Sequence, residues 1–217
     1  MSLPLLFADE LRGFYRSRVM LFLWVGMPVL ALVVHLYAQD LKEMPVSTLT
    51  ALLVSSLSGT LASAMLVVSI LSERERHVFD LFVVRPVKRR DILLSKFLAV
   101  YVCVVAAAMI AVGVGAVIDH FDASVPMDVV LEGVADSLVV TFAMLAVTAA
   151  AGVLIGIAAP SMLVGVILVI YGGNQISGVV GIVGIYLGSA VLTVALGFAL
   201  AGVLLAVAAR VFDRKQL

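Results

Sequence analysis

Residues 72–96 read SERERHVFDLFVVRPVKRRDILLSK, the one long polar interruption in a chain that is 64% hydrophobic. Half of the fourteen Lys and Arg residues stand in it: Arg74, Arg76, Arg85, Lys88, Arg89, Arg90 and Lys96. On either side the sequence stays apolar for about 20 residues or more, the length a helix needs to cross a ~30 Å hydrocarbon core. A basic segment between two such runs lies outside the hydrocarbon, and its positive charge assigns it to the cytoplasm. Ser72 and Glu75 have the S-x-x-E spacing of a capping box, which predicts the start of a short helix. Val78, Leu81, Phe82 and Arg85 then recur at i, i+3, i+4 and i+7, with Phe79 beside them. Pro86 drives Arg85 out of the α region and is suited to the first turn of a new helix, so the short helix expected over 73–85 stops there.

The rest of the composition agrees with a membrane protein. Only 13% of the 217 residues are charged, about half the usage of soluble domains. The formal net charge is zero, so no field draws nucleic acid to the chain, and the cations are explained by topology. The lone Cys103 sits in an apolar run and forms no internal disulfide.

Working outward, six spans are expected, over 19–38, 49–71, 92–118, 129–158, 162–173 and 185–209. Residues 1–18 lack the charge pattern and cleavage site of a signal peptide. Leu3, Phe7, Leu11 and Phe14 share a helical face there, suiting either an interfacial elbow helix or a flank whose arginines snorkel. Pro28 predicts a kink in the first span. In the second span Ser56, Thr60 and Ser63 share one face, which suits a translocation path between two subunits or close helix packing. Glu132 and Asp136 stack on the outer turns of the fourth span and should face the bundle interior or water. Pro160 and Ser161 mark a tight hinge. Residues 172–184, GGNQISGVVGIVG, are too rich in glycine for a plain helix and too poor in charge for a solvated loop. Such backbone is tolerated at membrane depth only where protein or a cavity satisfies it, so a re-entrant turn with Asn174 and Gln175 at its apex is expected. The glycines at 178, 181, 184 and 188, and the pair Gly152-x-x-x-Gly156, offer small-residue packing faces. With both termini inside, thirteen of the fourteen Lys and Arg residues are cytoplasmic and only Lys42 is outside. That asymmetry fixes the orientation.

Chemistry-bearing patterns are few. No Lys follows a G-x-x-x-x-G motif, so the sequence carries no phosphate loop with which to hydrolyse ATP. A membrane-embedded enzyme would have to draw on His35, His120, Asp119, Asp122 and scattered serines, without a G-x-S-x-G elbow or an H-E-x-x-H helix. A solvated outer loop is the plainer role for Asp119 and His120, and no metal site is expected. A structural assembly factor without transport is the third class.

The order of residues in 73–96 resembles the cytoplasmic loop between the second and third spans of ABC type-2 permeases, the membrane subunits of ABC exporters. Glu75-Arg76 stands where that family has a charged pair, and Asp80-Leu81-Phe82 where it has an acidic residue followed by leucines. Pro86-Val87, Arg89 and Ile92-Leu93-Leu94-Ser95-Lys96 match its Pro-Val, its basic residue and its helix entry. His77-Val78 departs from the family's frequent Gly-Thr. The resemblance implies an all-α fold with an elbow helix, six spans, a coupling helix and a re-entrant element before the last span. It also implies a permease rather than an enzyme, and coupling to a separate ATPase through Glu73, Glu75, Arg76, Phe79, Asp80, Leu81, Phe82, Arg85 and Pro86. ATP and Mg²⁺ would be held by that ATPase, so no cofactor is expected in this chain. The other expected partners are a second permease copy or homologue and the lipid of the inner (cytoplasmic) membrane. Haem-exporter-type ABC subunits have a similar length and are the alternative within ABC membrane proteins.

Overall fold

A computed structural model describes residues 3–37, 46–76, 89–121, 127–173, 175–176, 179, 183 and 190–214. Its helices are α1 (Leu3–Tyr15), α2 (Arg18–Tyr37), α3 (Val46–Glu75), α4 (Arg89–Phe121), α5 (Met127–Ala158), α6 (Met162–Leu168) and α7 (Ala190–Arg214), with one π-helical turn, Val169–Gly173, continuing α6. No strand occurs among the described residues, as an all-α membrane fold requires. Within α2, α3, α4, α5 and α7 lie five stretches long and apolar enough to cross a membrane. The expected fifth span is the short one. Met162–Gly173 is apolar, but at 1.5 Å per residue its twelve residues reach only about 18 Å, less than the ~30 Å core. The re-entrant turn expected over 172–184 lies mostly outside the described residues, and Gly172 and Gly173 close the π-helical turn.

Local sequence explains where these helices begin and end. Ser17 separates α1 from α2: its amide donates to the Phe14 carbonyl at 3.0 Å, and its hydroxyl accepts from the Met20 amide at 3.2 Å. That is the bond an N-cap serine makes to the third helical N–H. Tyr15 meets Trp24 edge to face with centroids 5.6 Å apart, bracing the same corner. α2 runs unbroken through Pro28. At the other hinge, Pro160 stands outside helix and Ser161 is the N-cap of α6, accepting from the Val164 amide.

One expectation changes. Ser72 does not start a helix. It lies inside α3, which runs on to Glu75, and its hydroxyl donates to the Ser69 carbonyl at 3.0 Å. A continuing upstream turn supplies acceptors, so the S-x-x-E spacing has no free helix end to cap. On α1 Leu6 is buried, and Leu3, Phe7, Leu11 and Phe14, the residues of the expected face, are half-buried beside it. That face meets the bundle: Leu11 and Phe14 rest against the core, and the helix packs extensively on α4.

α4 is the central post, in contact with α1, α2, α3 and α5 and, less broadly, α7. The tightest seam joins α3 to α5. A Cβ on Gly59 would sit 2.8 Å from Thr148 Oγ1, one on Gly152 2.7 Å from Ser63 Cα, and one on Gly156 3.1 Å from Ile70. Hydroxyls fill the same seam: Ser63 Oγ donates to the Thr148 carbonyl at 2.5 Å. Against lipid no hydrophobic force drives helices together, so close van der Waals contact and interhelical hydrogen bonds carry the association. α6 reaches α3 through Gly165 and Val67, and α7 reaches α5 through Gly197 and Ala143.

Gly152→Ala presses a methyl into the backbone of α3 at Ser63, an overpacking of the kind that costs about 1–3 kcal/mol. Gly113→Ala, where an added Cβ meets nothing within 4 Å, should instead stabilise by about 0.5–1 kcal/mol through helix propensity. Thermal unfolding in detergent, followed through the single tryptophan Trp24, should show shifts of opposite sign.

Candidate functional site

The last turn of α3 and the first turns of α4 flank residues 77–88, the heart of the basic segment. Lys96, two turns into α4, has a side chain only 2% exposed, the largest of the fully enclosed residues. Its ammonium donates to Glu10 Oε1 on α1 at 2.7 Å, to Glu73 Oε1 on α3 at 2.5 Å and to Ser69 Oγ at 3.4 Å. An ammonium has three donors, and each has an acceptor. Ser69 and Glu73 are four residues apart, one turn of α3, and so present themselves together. Both carboxylates keep part of their surface open, at 26% for Glu10 and 24% for Glu73. Water can therefore reach their remaining lone pairs.

A neighbouring bond extends the clasp. Arg74 Nη1 donates to the Ala159 carbonyl at 3.3 Å, immediately beyond α5. A cation on the unsatisfied carbonyls of a helix C-terminus is favourable both as a hydrogen bond and against the helix dipole. Through two consecutive residues, Glu73 and Arg74, the end of α3 is thus tied to α1, α4 and the α5–α6 hinge. Among the described residues no three His, Cys, Asp or Glu gather in a metal-binding group.

The residues singled out from sequence fall as follows. Glu73 belongs to α3 and turns inward to Lys96, while Glu75 and Arg76 are exposed at the helix end. Phe79, Asp80, Leu81, Phe82, Arg85 and Pro86 lie outside the described residues. Ser63 is fully buried in the α3–α5 seam, and Thr60 donates to the Ser56 carbonyl at 2.8 Å. For these hydroxyls the geometry shows packing and backbone bonding. Gln175 is exposed and Asn174 lies outside the described residues. Asp136 is exposed on a cleft shared with Ser55, Ser137 and Thr141 between α3 and α5. His120 is exposed and meets Phe121 at 5.8 Å, and His35 lies half-buried in the last turn of α2. In the sequence Lys96 reads as a cytoplasmic cation within a helix entry and Glu10 as an acid that interrupts a positive N-terminal region, and nothing in their spacing pairs them. The one available signal was a lysine inside an apolar stretch, which needs an anion at its own depth.

The family model described as ABC-2 family transporter protein matches residues 43–211. The chain belongs to that family. A search among curated proteins found no match. As a member of the ABC-2 family it is a multi-pass membrane transport permease. The matched region takes in α3 to α6 and most of α7, hence Glu73 and Lys96, whereas Glu10 precedes it. The clasp thereby fastens the N-terminal helix to the shared transporter body.

Removing the cation alone strands two carboxylates. Lys96→Met should destabilise by roughly 3–5 kcal/mol, the usual cost of breaking a buried ion pair from one side. The triple variant Glu10→Gln, Glu73→Gln, Lys96→Met should lose much less, since no charge is left unpaired. Thermal midpoints of the two proteins in the same detergent decide it.

Proposed function

We propose that this chain is the permease half of an ATP-driven ABC exporter. It pairs with a second copy or a homologue to enclose the pathway, and it is driven by separate ATPase subunits that bind ATP and Mg²⁺. The observation that carries the reading is the ABC-2 family match over residues 43–211. The charge distribution supports an inner-membrane orientation with both termini and residues 72–96 cytoplasmic. In this reading residues 73–85 dock on the ATPase. Phe79, Leu81 and Phe82 supply apolar contact, Glu75, Arg76 and Asp80 set its orientation, and Arg85 with Pro86 ends the helix. Glu73 serves the same coupling from inside: its bond to Lys96 makes α3 and α4 move as one when the intervening segment is pushed, and Glu10 carries α1 with them. Asn174 and Gln175, with the hydroxyl face of Ser56, Thr60 and Ser63 as its structural border, belong to the pathway side of the bundle.

Affinity purification from native membranes in mild detergent should bring down a soluble subunit with a phosphate loop and ATPase activity. Phe79→Asp with Phe82→Asp should release that subunit while the permease stays folded. A permease that purifies without any ATPase, before and after the change, overturns the reading. In a reconstituted complex, Glu75→Lys with Asp80→Lys should leave ATP hydrolysis running and reduce transport to background. Transport at the unaltered rate would remove residues 73–85 from coupling.

A further inference from the structure

Where the first turns of α4 meet the last turns of α7, the bundle opens a cleft of about 410 Å³, within the roughly 300–1,000 Å³ of small-ligand sites. Its walls are apolar, formed by Leu93, Leu205 and Ala206, and Arg90 and Arg210 line it as well. Both arginines are exposed. They stand on helices far apart in the sequence, yet the antiparallel run of α4 and α7 brings them to one level, at the end of the bundle that carries the basic segment. Gly202 leaves the wall bare: a Cβ built there meets nothing within 4 Å.

We infer that this cleft is a binding site for an anionic phospholipid, with the headgroup phosphate on Arg90 and Arg210 and an acyl chain along the apolar wall past Gly202. Three observations converge. Arginines from two neighbouring helices line the same cleft, and a guanidinium suits a phosphate well because it offers planar paired donors. The apolar wall beside them extends about two turns along α7, from Arg210 back to Gly202, which a free phosphate would leave unfilled. Basic pockets between membrane helices at the cytoplasmic level select anionic headgroups. Placing this end at the cytoplasmic leaflet rests on the orientation proposed above, but lipid preference is read in detergent, where orientation plays no part. Either can fail without the other.

The test is native mass spectrometry of the full chain titrated with phosphatidylglycerol or with phosphatidylcholine of the same acyl chains. The unaltered protein should retain phosphatidylglycerol preferentially. Arg90→Gln with Arg210→Gln should weaken that binding roughly 25-fold, about fivefold for each cation. Gly202→Leu, which fills the cleft while keeping both charges, should weaken both lipids. Equal retention of the two lipids by the unaltered chain overturns the site, as does full binding in both variants. If Gly202→Leu leaves lipid binding intact and converts a dimer to a monomer, the cleft is a subunit contact, and the inference falls.

Discussion

A positive charge held away from water organises one end of this molecule. Lys96 sits where α1, α3 and α4 converge, and its ammonium is tolerable there only because Glu10, Glu73 and Ser69 meet all three of its donors. Desolvating an ion costs several kcal/mol even after relaxation, so the three helices have little freedom to separate while the charge remains. Apolar packing resists separation gradually, whereas this contact resists it steeply and in a fixed geometry.

The other half of the architecture is backbone proximity. Gly59, Gly152 and Gly156 let α3 and α5 approach until hydroxyls bridge them, as Ser63 does to Thr148. The clasp and the seam share α3. One holds its end by charge and the other holds its length by shape, so α3 is gripped on two sides by interactions of different physical kind.

Much of this was legible in the sequence. Long apolar runs place α2, α3, α4, α5 and α7 to within about five residues, since a helix that crosses the hydrocarbon needs such a run, although α3 continues past Glu73 and Arg74 to Glu75. Pro160 with Ser161 marked a break, and Gly152-x-x-x-Gly156 marked a packing face, because missing donors and missing side chains are local facts. What escaped was direction. α3, α4 and α5 are apolar nearly all round, so no stripe says which side faces protein. Ser63 could therefore be read as lining or as packing, and Lys96 as one more collar cation. Glu10 interrupts the inner face of α1, and a search for apolar periodicity steps over it. Ser72 misled for the opposite reason: a capping pattern is informative only at a helix end, and α3 does not end there.

The clasp also sets an order of assembly. Glu10 is separated from Lys96 by 86 residues and Glu73 by 23. A chain made from its N-terminus delivers both carboxylates first and waits for their cation. Until α4 has entered the membrane, α1 has no ionic anchor and α3 ends in an unpaired acid. Arrival of Lys96 closes both gaps at once, and with it α1 and α3 are joined to α4 through a single side chain.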